Sequence, residues 1–215
     1  MQKQNIVIDA FKGTVKGIVS TIPGGSILVS ITEEIQNGIF QNRFEEWKKN
    51  VEERLVHLED EVLNKLPQND IFATVLLISA QLALKTNQEK TKLLANAVAN
   101  SATTKISEER VVILLNCIEK YTLSHLKLLR FLQNPKEYNL KEDISMGSPM
   151  KIYNNYYTQR DKSLDNVIIR DLYADGLINT DSLNSTVSKN GMLEKRTTAL
   201  GDDMIQFFGI IKYEK

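Results

Sequence analysis

The stretch ILVSITEEIQNGIFQNRFEEWKKNVEERLVHLEDEVLNKL, residues 27–66, keeps apolar side chains at helical spacing along its whole length. Apolar residues that recur every three or four positions are typical of an amphipathic helix. At a rise of about 1.5 Å per residue, one unbroken helix here would be about 60 Å long. We expect a bend or a break at Gly38. The recurring residues are Ile27, Ile31, Ile35, Ile39, Phe44, Trp47, Val51, Leu55, Leu58, Val62 and Leu66.

Four further segments outside this stretch show the same periodicity. Proline residues separate helical segments along the chain, because proline removes a backbone donor and disfavours helical geometry in the preceding residue. Residues 71–86 are apolar nearly all round, which indicates a helix in the middle of a bundle, with Asn69 or Asp70 as its N-cap. The four expected helices cover residues 4–20, 71–86, 88–103 and 107–132. With residues 27–66 they predict a helical bundle with one hydrophobic core.

After this bundle, residues 135–148 are polar and rich in turn formers, which indicates a linker. Ser148 and Pro149 then have the form of a capped helix start. Two short helices follow, and Gly176 can stop the second. Residues 177–179 and 192–197 are expected to be short strands, and a last helix runs to about residue 211. The sequence thus predicts a mostly α protein: a helical bundle at 1–134, a linker at 135–148 and a small α+β module at 149–215.

Composition and charge narrow the function classes. The chain of 215 residues has 27 basic and 27 acidic side chains, so its formal net charge is zero. Proteins that coat nucleic acid or anionic membranes rely on a surplus of Lys and Arg, so this balance disfavours both classes. The single cysteine, Cys117, can form no intramolecular disulfide, which indicates a reducing compartment. No targeting segment is recognisable, and we expect a cytoplasmic protein.

The sequence contains no pattern that indicates catalysis. Neither of the two histidines, His57 and His125, has a nucleophile, a metal-ligand pattern or a second histidine nearby. Zinc-protease, paired-cysteine, phosphate-loop and dinucleotide-binding signatures are all missing. Cys117 has no cationic neighbour in sequence that would lower its pKa, so a buried, inert thiol is expected. We therefore expect no enzymatic activity, no metal, no cofactor and no small-molecule substrate.

The amphipathic pattern of residues 6–22 has two interpretations. As an amphipathic helix they would lie in a membrane interface, with their lysines facing lipid head groups, in a membrane-associating effector. The alternative is a first helix that packs on the bundle, with Gly13 and Gly17 permitting close approach.

Two sets of aromatic and apolar side chains are candidates for partner binding. One is the face of the long helix around Phe44, Trp47 and Val51, since a helix longer than a small domain can cover favours self-association. The other is the C-terminal module with Tyr153, Tyr156 and Tyr157. These tyrosines either attach the module to the bundle or form a stacking platform for single-stranded nucleic acid.

The C-terminal module resembles the second half of a winged-helix domain. The residues that carry the resemblance are Leu172, Gly176, Leu177 and Ile178, then Thr197 or Thr198, Leu200, Gly201 and Phe207. The resemblance implies a recognition-type helix, a two-stranded wing and a final helix. It gives an alternative function, a DNA-binding transcriptional regulator, whose contact residues would be Asn166, Arg170, Lys189, Lys195 and Arg196.

Charge argues against that alternative. Residues 147–215 contain nine basic and nine acidic side chains. The recognition-type helix carries Asp165, Asp171 and Asp175 against Arg170, so it would meet DNA phosphates with net negative charge. A winged helix used for protein contact or assembly fits better.

Taken whole, the chain resembles a loosely defined group of bacterial helical proteins of the abortive-infection, phage-defence kind. An apolar first helix with a Pro-Gly break, a long charged helix ending in Leu66-Pro67 and the module from Asp171 to Phe207 carry this likeness. The leading expectation is a non-enzymatic protein-interaction or assembly protein, with a place in a bacterial antiviral defence or stress system.

Overall fold

The computed structural model describes residues 38–138 and 145–214. This part of the chain is mostly helical and has one small two-stranded antiparallel sheet, which confirms the mostly α fold class. The helices of the described residues are α1 (Gly38–Leu55), α2 (Asp60–Lys65), α3 (Asp70–Lys85), α4 (Gln88–Ser101), α5 (Glu108–Lys120), α6 (Leu123–Gln133), α7 (Pro149–Tyr156), α8 (Asp165–Ala174), α9 (Lys189–Met192) and α10 (Ala199–Phe208). The strands are β1 (Met146–Gly147) and β2 (Val187–Ser188).

The predicted long helix is broken, so a single helix up to residue 66 is wrong. α1 ends at Leu55, and the Leu58 amide donates to the Leu55 carbonyl at 3.0 Å, which closes a tight turn. Glu59 has extended backbone, and α2 begins one residue later. Asp60 and Glu61 then lie in the first turn of α2, where the helix dipole favours anions. The predicted helix over 4–20 and the predicted start at 27–37 lie outside the described residues.

The chain divides into two compact units. The described residues of the first unit are 38–115 and 207–209, and those of the second are 116–138, 145–206 and 210–214. This division differs from the predicted bundle limit at residue 134. The physical reason is that α6 packs on α8, so residues 123–133 belong with the second unit.

The first unit is built on α1, α3 and α4, which pack on one another. The apolar helix α3 packs on α1 and α4, with Phe72, Val75 and Leu76 almost completely buried. Asn69 is its N-cap, since the side-chain oxygen accepts from the Phe72 amide at 2.9 Å.

The predicted single helix over 107–132 is in fact two helices. α5 ends at Lys120, and α6 begins at Leu123 behind a capping box formed by Thr122 and His125. The Thr122 hydroxyl and the His125 ring nitrogen Nδ1 lie 2.9 Å apart. Thr122 therefore ends one helix and starts the next instead of continuing an apolar stripe.

The second unit contains the small sheet. β1 pairs antiparallel with β2, with Met146 opposite Ser188 and Gly147 opposite Val187. Residues 177–179 and 192–197, expected to be short strands, meet only in one antiparallel bridge between Ile178 and Thr197.

Gly201 positions the start of the last helix, α10, whose residues 199–206 belong to the second unit. The Thr198 hydroxyl accepts from the Gly201 amide at 3.1 Å and donates to the Gly176 carbonyl at 2.6 Å. A Cβ on Gly201 would clash with the backbone carbonyl oxygen of Leu177. Glycine is therefore required where α10 passes the 176–178 segment.

Candidate functional site

Helix α8 carries the candidate site, and its sequence explains where it begins and which side is buried. The 3-10 turn Lys162–Leu164 leads into it, and the Asp161 carboxylate accepts from the Ser163 amide at 2.9 Å. One apolar stripe of the helix faces the interior of the second unit. That stripe is Ile168, Ile169 and Leu172.

The end of α8 is fixed by Gly176, as predicted. Gly176 has a φ of 71°, in the left-handed region that glycine adopts without strain. The Leu177 amide donates to the Leu172 carbonyl at 2.9 Å, which is the closing bond of a Schellman motif. Leu177 is fully buried, so the helix end is anchored in the core of the unit.

Each acidic side chain of α8 and its C-cap lies beside a cation of the same unit, and two of them share one lysine. The Asp165 carboxylate accepts from Arg160 Nη2 at 2.8 Å. Lys120 Nζ lies 3.0 Å from Asp175 Oδ2 and 3.7 Å from Asp171 Oδ1. These three aspartate side chains are between 14% and 27% exposed. The carboxylates of α8 therefore lie in ion pairs and point away from the outer surface of the helix.

The outer surface of α8, called the α8 face below, consists of Asn166, Val167, Arg170, Tyr173 and Ala174, all exposed. Val167 is 41% exposed and Tyr173 is 47% exposed, although both are large and apolar. Arg170 is the one charged side chain of α8 on this face, and it has no ion pair or hydrogen bond within 38–138 or 145–214. The α8 face thus combines two unpartnered apolar side chains with one cation.

The structure corrects the first predicted contact surface. Phe44, Trp47 and Val51 are only 3%, 3% and 5% exposed, and the rings of Phe44 and Trp47 pack with centroids 5.4 Å apart. They lie on the stripe of α1 that packs against its neighbouring helices. These residues form the core of the first unit and offer no surface to a partner.

The predicted tyrosine surface is also mostly internal. Tyr153 and Tyr157 are 2% and 5% exposed, and only Tyr156 is half-buried. The Tyr153 ring packs on Phe131 at 5.2 Å, and the Tyr156 ring packs edge-on against Tyr138 at 4.8 Å. The tyrosines therefore attach α7 to α6 and to the turn after it, and the buried pair cannot stack with bases.

The C-terminal tail completes this aromatic cluster. Lys212 Nζ lies 4.7 Å from the centre of the Tyr156 ring and donates to the Glu137 carbonyl at 2.6 Å. The Tyr157 hydroxyl donates to the Tyr213 carbonyl at 3.1 Å. These contacts hold residues 212–213 on the second unit and engage the Lys212 ammonium group.

The five predicted DNA-contact residues do not form one free basic surface. Asn166 and Arg170 are exposed on the α8 face, and Lys189 is exposed at the start of α9. Lys195 pairs with Asp202 at 2.5 Å. The Arg196 side chain is 12% exposed and donates to the Gly191 and Glu194 carbonyls at 2.6 and 2.8 Å, so its role is structural.

A small polar network lies at the junction of α5 and α6. The Tyr121 hydroxyl donates to Asp175 Oδ2 at 2.6 Å, and the Tyr121 ring stacks on His125 at 4.8 Å. Burial raises the pKa of the Cys117 thiol, and the nearby Asp175 carboxylate raises it further. A protonated, buried thiol is a poor nucleophile, in line with the expectation for this cysteine.

The second unit also has a cleft of about 480 Å³, a volume typical of small-molecule sites. Its lining mixes amide, basic and acidic side chains with two apolar ones. The lining residues are Gln133, Asn134, Pro135, Lys136, Asn190, Gly191, Leu193, Glu194 and Lys195. Within the described ranges no cluster of His, Cys, Asp and Glu has the composition of a metal site. No described helix is long and apolar enough to cross a membrane.

Sequence reasoning missed the two apolar residues of the α8 face. Val167 fits a helical stripe as well as Ile168 does, so apolar periodicity does not separate the exposed side chain from the buried one. The structure buries Ile168, Ile169 and Leu172. The adjacent pair Ile168-Ile169 is the one signal in the sequence that favours the observed stripe.

Comparison with known proteins gives no relative. No family model, no curated protein and no solved structure matches this chain.

Proposed function

We propose that this chain is a non-enzymatic protein-interaction protein and that the α8 face is its contact surface. The observation that carries the proposal is the exposure of Val167 and Tyr173 around an unpaired Arg170, on a helix whose carboxylates each lie beside a cation away from this face. Tyrosine and arginine are enriched among the side chains that contribute most to protein interfaces. A partner that covers this face would remove apolar surface from water without burying an uncompensated aspartate.

The resemblance to bacterial abortive-infection proteins supports a cellular setting for this contact. We propose that the partner belongs to an antiviral defence or stress system. In such a system a neutral helical protein would act by assembly rather than by chemistry.

A winged-helix regulator that reads DNA is the second candidate. It is favoured by Asn166 and Arg170, which are exposed on α8 and have the side-chain types that pair with adenine and guanine. It is disfavoured because Lys195 and Arg196 are engaged within the unit, which leaves few cations to neutralise phosphates. The third candidate, a membrane-associating effector, rests on residues 6–22, which lie outside the described residues.

Site-specific photocrosslinking in the native host tests the leading proposal. A benzoylphenylalanine replaces Tyr173, whose ring is exposed, and in a matched control it replaces Lys92, an exposed residue of α4. We expect a protein adduct from position 173 that disappears when Val167→Asp is added, because a carboxylate interrupts the apolar surface. Equal adducts from both positions, or none from position 173, would contradict the proposal.

A further inference from the structure

A second exposed apolar face lies on α5, and it has the opposite charge. Val112 and Ile113 are 37% and 40% exposed, and Glu109 lies one helical turn before them on the same side. The opposite side of α5 is fully buried. Its buried residues are Val111, Leu114, Leu115 and Ile118. The α5 face, defined by Glu109, Val112 and Ile113, is therefore the exposed side of a helix whose other side packs in the core.

The α5 face and the α8 face are complementary. Each presents two large exposed apolar side chains, Val112 and Ile113 on α5 and Val167 and Tyr173 on α8. Arg170 gives the α8 face one cation, whereas the exposed first turn of α5, with Glu108, Glu109 and Arg110, has a net negative charge. Neither Glu109 nor Arg170 has an ion pair or a hydrogen bond within residues 38–138 and 145–214.

We propose that the α8 face binds the α5 face of a second copy of this chain. This inference rests on the proposed function and names the partner of that site. Pairing of two α8 faces would place two Arg170 side chains in one contact without a free carboxylate, because Asp165, Asp171 and Asp175 already lie in ion pairs with Arg160 and Lys120. Pairing with the α5 face instead places Glu109 opposite Arg170 and covers the apolar residues of both helices.

The contact joins two different surfaces, so it is heterologous. Every copy carries both an α8 face and an α5 face, and one copy can therefore bind two neighbours. Such assembly grows with protein concentration. It weakens at high salt, because the ion pair between Glu109 and Arg170 joins two exposed helix surfaces where salt screens it.

Size-exclusion chromatography with light scattering over a concentration series tests this pairing. The purified full-length chain is compared with Arg170→Glu, Glu109→Arg and the double variant that carries both changes. We expect the wild type to associate and each single variant to raise the dissociation constant about tenfold or more, the range for reversing one charge of a close pair. The double variant should associate again, since its α8 faces carry Glu and its α5 faces carry Arg.

Two controls keep the test independent of folding. Lys92→Glu makes the same charge change on an exposed residue of α4 and should leave the mass unchanged. Val112→Asp and Val167→Asp, both at exposed positions, should each give a monomer with the circular dichroism spectrum and melting temperature of the wild type.

Specific outcomes would overturn the inference. A wild type that is monomeric at all concentrations, or an oligomer that ignores Arg170→Glu, excludes the second copy as the occupant. If the wild type is monomeric while position 173 still crosslinks a different protein in cells, the proposed function stands and only this inference fails. A monomer without any adduct from position 173 contradicts both.

Discussion

At the scale of single residues, His125 shows how a side chain can end one helix and start another. The Thr122 amide donates to His125 Nδ1 at 3.2 Å, so this nitrogen must be unprotonated in the capping box. His125 Nε2 then carries the proton and lies 3.5 Å from Asp171 Oδ2. Burial lowers the pKa of His125, and the Asp171 carboxylate opposes this effect only in part.

Stability should therefore depend on pH through His125. Because its pKa is lower in the folded than in the unfolded chain, the unfolded chain binds more protons below the ordinary histidine pKa of about 6.5. We expect the free energy of unfolding to fall as the pH is lowered from about 7 to about 5. Urea unfolding followed by circular dichroism at both pH values measures this change.

His125→Gln is the informative variant for this pH effect. Glutamine at the same position accepts from the Thr122 amide as in the common capping box, and it does not titrate. The loss of stability between the two pH values should be smaller in this variant than in the wild type. An identical loss in both proteins would show that other groups carry the pH dependence.

At the scale of elements, the N-cap of α3 can be tested with a pair of adjacent residues. Asn69 accepts from the Phe72 amide at 2.9 Å and donates to the Ala102 carbonyl at 3.3 Å, whereas Asp70 is the first residue of the helix. Asn69→Ala should lower the free energy of unfolding by about 1 to 2 kcal/mol, since it removes the cap. Asp70→Ala should cost about 0.3 to 1 kcal/mol, the contribution of an acidic residue to the helix dipole.

Chemical unfolding of both variants at the same pH checks this order. The two positions are neighbours, so any general effect of alanine on the segment is shared. A larger loss for Asp70→Ala than for Asn69→Ala would contradict the observed cap.

Helix existence could be predicted from apolar periodicity, but some helix ends could not. Periodicity continues from α5 into α6, with Leu114 and Ile118 before the break and Leu126 and Leu129 after it. The break at Thr122 depends on a hydrogen bond to a histidine, which is not the usual partner in a capping box. Between α1 and α2, too, the apolar residues keep helical spacing across a turn. That turn is closed by a backbone hydrogen bond from the Leu58 amide to the Leu55 carbonyl, which the side-chain pattern does not reveal.

The candidate site was less predictable than the fold because it depends on which way each side chain points. Counting charges on α8 gives a net negative helix, yet Asp171 and Asp175 share Lys120 and leave Arg170 outside. Conversely, the conspicuous aromatic residue of α1, Trp47, belongs to the core. Composition along one helix does not reveal such pairing, because the cations come from other elements of the fold.

At the scale of the whole molecule, two features leave few cations for binding nucleic acid: the zero net charge of the chain, and ion pairs within the fold that engage some of its cations. The 27 basic side chains equal the 27 acidic ones in number, and Lys120, Arg160 and Lys195 each have a carboxylate partner in the second unit. Binding to duplex DNA draws most of its affinity from cations that neutralise several phosphates at once. Paired cations contribute little to this, because their carboxylates would have to be left without a partner.

The wild-type chain should therefore leave a random DNA duplex unshifted in a gel, even at about 50 mM salt, where electrostatic binding is much stronger than at physiological salt. Arg170→Lys and Arg170→Glu should behave in the same way, because one exposed cation on α8 neutralises at most one phosphate. Retardation that weakens with added salt and is lost in Arg170→Glu would instead support the DNA-reading alternative. In that case the α8 face would lie in the major groove, with Asn166 and Arg170 on base edges, and the protein-contact proposal would be wrong for this helix.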